Sequence, residues 1–278
     1  MTRLDRRALF ASGAAAALLA ATGLSAAPIR GGHLRAALSG ATFGDRWDSA
    51  EAGLFMQAAR LSVFETLTEI APDGTLRGGL ATAWSVENDG LDWTFDIREG
   101  VSFHDSRPLK MEDIVQSLVG LGDIQAQGDR WLHIHLDQQD MALPFKLSDA
   151  RHAIQPAEPE RAAAGIGSGL YRAIDFEPGR RFSAERVETH WKDGSAGWFD
   201  RIEFAHVSEV DVRLDALARG LVDVADVPNG EDLGADFRRM PNPRDTWQIA
   251  NSAVAIPAVV GTAAPLDNLR FAERWWRA

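Results

Sequence analysis

His133-Ile134-His135 puts two imidazoles on one face of a strand, with Asp137 close behind, and that trio has the residue types of a divalent-metal site. Trp131 shares the face and no second group of ligands stands elsewhere in the sequence. An exposed strand face is the plainer reading, and no metal is expected. His104-Asp105 has the makings of a general-base dyad, yet no serine in a Gly-x-Ser-x-Gly setting offers a nucleophile. Gly165-Ile166-Gly167-Ser168-Gly169 could approach a phosphate, but it lacks the lysine of a phosphate loop and the strand-to-helix frame of a dinucleotide site. It reads as a crossing segment. The acids between Asp223 and Asp236 read as a solvated face or, less plainly, a weak cation site, and Trp275-Trp276 as an interaction patch or a pair that packs under a further lobe. The chain has no Cys, which excludes thiol catalysis, cysteine-ligated zinc and iron–sulfur clusters. No catalytic residue and no cofactor are expected, so the chain is not read as an enzyme.

The elements that hold these residues alternate between strands and helices. His33 to Leu38 reads as a first strand, followed by the polar loop Ser39-Gly40-Ala41-Thr42-Phe43-Gly44. Over residues 51–66, Leu54, Ala58, Leu61 and Phe64 fall at helical spacing. Leu80–Val86 and Trp93–Arg98 read as strands around Glu87-Asn88-Asp89-Gly90, whose Asp-Gly is a hairpin signal. Trp93, Phe95 and Ile97 alternate with polar residues, the period of a half-buried strand. A helix is expected over Met111–Leu121, a strand over Trp131–Leu136, and a loop over 150–168. Strands follow at Arg181–Glu188 and Ile202–His206, then a helix over Val210–Arg219 closed by Gly220. Short strands are expected at Val222–Val227 and Thr246–Ala250. The elements interleave without strict βαβ order, which points to a mixed α/β fold.

The 278 residues are 45% hydrophobic and 25% charged, an ordinary globular composition that excludes disorder and repeat fibres. Formal net charge is −11, and Lys110, Lys146 and Lys192 are the only lysines among 29 basic residues. An acidic chain without a basic run is a poor binder of nucleic acid or anionic membrane. Residues 1–26 differ from the rest. Arg3, Arg6 and Arg7 precede an uncharged Ala- and Leu-rich stretch, and small residues lead up to Pro28. This is the layout of a cleavable export signal, too short to anchor in a membrane. Arg6-Arg7 before Ala8-Leu9-Phe10 resembles the twin-arginine motif. Cleavage is expected after Ala26.

Several stretches then line up in order: Val63-Phe64-Glu65-Thr66-Leu67 ahead of Pro72-Asp73-Gly74; Gly79-Leu80-Ala81-Thr82-Ala83-Trp84; Asp92-Trp93-Thr94-Phe95; Ile97-Arg98-Glu99-Gly100-Val101-Ser102-Phe103-His104-Asp105; Glu112-Asp113-Ile114; Gly167-Ser168-Gly169-Leu170-Tyr171; His190-Trp191; and Ala216-Leu217-Ala218-Arg219-Gly220. Together they resemble the peptide/nickel class of extracytoplasmic solute-binding proteins of ABC importers. Departures stand at Ser106 and Leu170, where the family usually has Gly and Pro. Pro265-Leu266-Asp267-Asn268-Leu269-Arg270 resembles the point where relatives start a helix into a second lobe, and Ala278 is the last residue given.

The resemblance implies a type II periplasmic-binding-protein-like fold of which this sequence supplies the first lobe. It implies a leader at 1–26, a discontinuous first lobe at 27–50 and 165–264, an inserted subdomain at 51–164, and a helix stub at 265–278. It implies capture of a peptide or similar small solute and delivery to an ABC permease, in the periplasm, by a soluble monomer that does not bind nucleic acid. It places the loop Ser39, Gly40, Ala41, Thr42 and Phe43 at the ligand cleft, with Trp47 either walling the cleft or packing beneath it, and Asn251 at the crossover. The alternatives are a truncated product without transport function and, further off, a secreted hydrolase on the same scaffold.

Overall fold

The structure is a computed structural model that describes residues 30–49, 52–71, 74–241 and 252–258. Strand β1 (His33–Leu38) is buried on both faces. Leu34, Ala36 and Leu38 enter one core and Ala37 another on the opposite side. That is the environment of a central parallel strand covered on both sides. Helix α1 (Leu54–Val63) follows, with Phe55, Met56, Ala59 and Val63 turned inward at helical spacing.

The next segment makes a short hairpin, β2 (Thr68–Ile70) and β3 (Leu76–Gly78), then β4 (Ala81–Glu87) and β5 (Asp92–Ile97). Between β4 and β5, Asn88–Gly90 forms a single 3₁₀ turn in which Asn88, Asp89 and Gly90 all have positive φ. Helix α2 (Met111–Ser117), β6 (Asp123–Gln127) and β7 (Trp131–His135) complete a four-stranded antiparallel sheet of order β4-β5-β7-β6. Trp93, Phe95, Ile97, Leu132 and Ile134 point to a second core with Ile114 and Leu118. Asp113 fixes the start of α2 by accepting from the Lys110 N–H at 2.8 Å.

Short helices α3 (Leu143–Lys146) and α4 (Pro159–Ala163) lead back to β8 (Tyr171–Glu177), β9 (Arg181–Arg186) and β10 (Arg201–His206). Helix α5 (Val210–Ala218), β11 (Val224–Pro228), β12 (Phe237–Pro241) and β13 (Ser252–Pro257) follow. These strands join β1 in a seven-stranded sheet of order β12-β13-β11-β1-β10-β9-β8. Strand β1 runs parallel to both β10 and β11, and the other pairs are antiparallel. Helix α1 packs in the core on one face and Leu217 of α5 in the core on the other.

The mixed α/β expectation holds, and β1 has the expected bounds. Several boundaries shift. Helix α1 ends at Val63 rather than continuing to residue 66, because Glu65 pairs with Ile154 in an isolated antiparallel bridge. Helix α2 stops at Ser117, short of Leu121, where Leu118 leaves helical geometry. The loop expected over 150–168 contains a 3₁₀ turn at Ala150–His152 as well as α4. Strands β2, β3, β8, β12 and β13 carry no clear alternation in sequence and are set by their partners, and β6, unexpected from the sequence, alternates Ile124 and Ala126 with polar residues. Thr246–Ala250 lies outside the described residues, as do the leader expected over residues 1–26 and Trp275-Trp276.

Candidate functional site

Parallel strands deliver their carboxyl ends to one edge. Here the ends of β1, β10 and β11 meet there, and the chain leaves β1 toward α1 on one face but leaves β10 toward α5 on the other. Loops that part to opposite faces open a crevice at the carboxyl edge of the sheet, where ligands of open α/β folds bind. The residues at this point are the loop Ser39–Gly44, the turn Val207-Ser208-Glu209, and the segment after Pro228.

The β1 loop is tied down at Ser39 and Thr42. Ser39 donates its N–H to Asp226 Oδ1 and its hydroxyl to Asp226 Oδ2, both at 2.7 Å. Asp226 is 3% exposed and sits 3.2 Å from Nε of Arg213, which is equally buried. Arg213 also donates to the carbonyls of Asp226, Val207 and Ser208 at 2.7–2.8 Å. One buried guanidinium therefore gathers the ends of β10 and β11, and the carboxylate it neutralises holds the end of β1. Farther along, Thr42 donates its N–H and hydroxyl to the Asp45 carboxylate at 3.0 and 2.9 Å. Arg60 on α1 reaches under the loop to the carbonyls of Ser49 and Arg46, and its burial lowers its pKa.

Glycine is required where this loop meets α1. A β-carbon on Gly53 would stand 2.0 Å from the Gly40 carbonyl oxygen, and Gly40 has φ +80°. The Phe55 N–H donates to the Ser39 carbonyl at 3.1 Å, so the helix start is pinned to the loop.

The expected contact residues separate into three groups. Ser39, Gly40, Ala41, Thr42 and Phe43 all lie on the carboxyl edge. Within that run Phe43 is 85% exposed, its backbone resting against Gly179 in the β8–β9 turn. Trp47, expected as a possible cleft wall, is instead a core residue. Its indole is 4% exposed and ringed by Phe64, Phe176 and Phe182 at centroid distances of 4.6–5.9 Å. It props the loop from beneath. Asn251 lies outside the described residues.

The sequence reading passed over Arg213 and Asp226. The solvated face expected from Asp223 to Asp236 is corrected at its first two acids: Asp223 is 6% exposed and paired to Arg35 at 2.8 Å, and Asp226 is paired to Arg213. A signal for Arg213 was present, since it falls among Val210, Leu214 and Leu217 on the apolar stripe of its helix.

The other constellations resolve into structural roles. His104 Nε2 hydrogen bonds to the Gly169 carbonyl at 2.8 Å, and burial lowers its pKa. Asp105 pairs with Arg161, so the two do not form a dyad. On the outer face of the small sheet, Asp92 Oδ1 lies 2.5 Å from His135 Nδ1 and 3.6 Å from His133 Nε2. The hydrogen bond to Asp92 raises the His135 pKa. Among the described residues no group of three His, Cys, Asp or Glu is placed to hold a metal ion. Nor is any described helix long and apolar enough to cross a membrane.

Residues 75–243, more than half of the chain, match the family model for the middle part of bacterial extracellular solute-binding proteins, family 5. The chain belongs to this family. Curated relatives are the HTH-type transcriptional regulators SgrR of Escherichia coli K12, 30% identical over 190 residues, and of Shigella boydii, 34% identical over the same length. In both cases the match covers 63% of this chain and 33% of the relative, so the chain spans about a third of their length. Solved structures share the fold. The Helicobacter pylori periplasmic binding protein DppA, in complex with the peptide STSA, superposes with a TM-score of 0.63 at 17% identity, over 72% of this chain and 48% of that one. Burkholderia pseudomallei OppA gives 0.63 at 15%, over 76% and 50%. A nickel ABC transporter structure from Bacillus halodurans gives 0.60 at 22%, over 78% and 45%. The family 5 fold is thus the type II periplasmic-binding-protein-like one, and the chain spans about half of these structures. The family is one of extracellular solute-binding proteins.

Proposed function

We propose that this protein captures a peptide or similar small solute outside the cytoplasm and delivers it to a membrane permease of an ABC importer. The observation that carries the reading is the β1 loop. Its side-chain hydroxyls, on Ser39 and Thr42, are held by Asp226 and Asp45, while the one large apolar side chain, Phe43, stands in solvent at the switch point of the sheet. An aromatic ring left 85% exposed on a rigid loop is suited to contact a solute or a closing second lobe. Asp226 and Arg213 neutralise each other at this edge, and the ends of a peptide find their ionic partners elsewhere in the full trap. Residues 1–26 are removed on export, by the twin-arginine route, and the mature chain works as a monomer in the periplasm. Residues 27–50 and 165–264 form the first lobe and 51–164 the inserted subdomain, with α1 packed on the first-lobe sheet.

A thermal-shift screen of the mature chain against di- and oligopeptides tests this. A ligand at about 100 times its Kd adds about 2.7 kcal/mol to the folded form. For a chain of this size that raises Tm by roughly 5–10 °C. No rise with any peptide at millimolar concentration contradicts the reading.

A second reading comes from the relatives named as transcriptional regulators, in which this part of the fold serves a regulator. There the captured solute would be sensed rather than transported. Cell fractionation separates the two: export with cleavage near Ala26 supports import, and cytoplasmic retention of the uncleaved chain supports sensing.

A further inference from the structure

The chain leaves the first core after Phe64, enters the second at Leu67, and comes back at Ile154 and Ala153. The two passages pair where the Ile154 N–H donates to the Glu65 carbonyl at 2.8 Å. A third strand of this seam is the crossing segment, where the Gly169 N–H donates to Val63 and the His104 N–H to Gly167, each at 2.8 Å.

A cluster of buried charge occupies the seam. The Glu65 side chain is 2% exposed, and Trp191 Nε1 donates to its Oε1 at 2.8 Å. His190 Nδ1 accepts from the Lys192 N–H, which leaves Nε2 to donate to the Ser168 carbonyl at 3.0 Å. That same Nε2 lies 3.6 Å from Glu65 Oε1. Lys192, 7% exposed, donates to Glu69 at 2.7 Å and lies 3.7 Å from Glu65. Arg98 lies over the Trp191 ring, its guanidinium carbon 3.7 Å from the ring centroid. Arg98 belongs to the small sheet's side of the seam: its Nε and N–H donate to the carbonyls of Gly79 and Leu80.

His190, Trp191 and Lys192 follow β9 in the main sheet, yet their side chains reach Glu65 at the crossing, Glu69 on β2 and Arg98 just after β5. Buried charges contribute little net stability when apolar groups could replace them, but they fix one arrangement, because any other leaves a charge unpaired in a dry site. We infer that Glu65, Trp191 and Lys192 form a lock that joins the four-stranded sheet to the seven-stranded one, so that the two cores move as a single body. The lock opens separately from the unfolding of either core.

Hydrogen exchange by mass spectrometry or NMR on the full chain tests this. In Lys192→Met, the seam amides of Gly79, His104, Ile154 and Gly169 are expected to exchange about tenfold faster, while the β1–β10 and β5–β7 ladders keep their protection. Adding Glu65→Gln to Lys192→Met removes the stranded carboxylate and restores part of the seam protection. Trp191→Phe, which keeps the ring and loses the donor, gives the same seam-restricted pattern more weakly should Lys192→Met not fold. Exchange that rises equally in both sheets, seam amides that do not change, or a double variant no better protected than the single one would each overturn the proposal.

Discussion

Ser39 and Asp226 are 187 residues apart and joined by two hydrogen bonds of 2.7 Å, one from the backbone and one from the hydroxyl of the serine. The carboxylate is held by buried Arg213, so the loop that faces the crevice is anchored to an ion pair under it. Removing one partner of a buried pair leaves the other uncompensated. Asp226→Ala is expected to cost about 3–5 kcal/mol. Ser39→Ala, which removes only the hydroxyl, is expected to cost about 1–3 kcal/mol. Urea unfolding measures both, and an Asp226→Ala loss no larger than that of Ser39→Ala contradicts the anchoring role.

Phe43 makes the opposite prediction. At 85% exposed it contributes little to the fold, so Phe43→Ala changes stability by under about 0.5 kcal/mol. Solute affinity, read by calorimetry with a peptide found in the thermal screen, falls by about tenfold or more if the ring is an anchor. Unchanged affinity removes Phe43 from the site.

Trp47 belongs to the core, and its variant separates packing from binding. Trp47→Ala is expected to destabilise the chain by about 3–5 kcal/mol through lost contacts with Phe64, Phe176 and Phe182. Trp47→Phe, which keeps an aromatic in place, retains most of that stability and leaves solute affinity unchanged. A loss of affinity in Trp47→Phe without loss of stability restores the indole to the cleft.

Stability falls toward acid in two stages. Burial lowers the pKa of His104 and His152 below the ordinary value near 6.5. The unfolded chain then takes protons that the folded one refuses, and stability drops as the pH falls below about 6.5. His104 is faced by Arg172, His190 and Glu65, and the first two of these reinforce the shift. Lower down, burial alone would raise the carboxyls of Glu65 and Asp113. The neighbouring His190 and the charge of Lys192 outweigh it for Glu65, and bonds from Arg107 and backbone amides outweigh it for Asp113. Their contribution is present above the ordinary carboxylate values of 4.5 and 3.8 and is lost as the pH falls through the lower folded values. His135 acts in the other direction, raised by Asp92 and losing its contribution as the pH climbs, but it is exposed and solvent screens the pair. The double variant His104→Gln/His152→Gln is expected to flatten the first stage and leave the second; persistence of the first stage contradicts the assignment.

Ser106 has a φ of +70°, a left-handed conformation that costs an L-residue about 1–2 kcal/mol. Glycine gives part of that back as extra freedom in the unfolded chain. Ser106→Gly is expected to stabilise the protein by roughly 0.5–1 kcal/mol, seen as a higher Tm. A lower Tm contradicts the strain.

Much of the scaffold is legible because its signals are local. Alternation in Trp93, Phe95 and Ile97 marks a strand with one wet face, and the ordered segments that resemble the family are mostly turns and buried aromatics. Edge strands are harder. Asp123–Gln127 is short, with only Ile124 and Ala126 between its polar residues, and it becomes β6 against the open edge of β7. The anchor of the site is harder still. Arg213 and Asp226 meet through a fold in which β11 lies beside β1, and neither residue's neighbours in sequence announce the other. Trp47 shows the limit from the other side: the sequence places it near the loop, and only the ring contacts reveal that it faces the core.

Peptide titration followed by amide chemical shifts tests the central claim most directly. If the carboxyl edge of the seven-stranded sheet is the solute-facing wall, the shifts concentrate at Ser39–Phe43 and Val207–Glu209, and they vanish in Phe43→Ala at the same concentration. Shifts confined to the outer face of the four-stranded sheet, or absent up to millimolar peptide, contradict it.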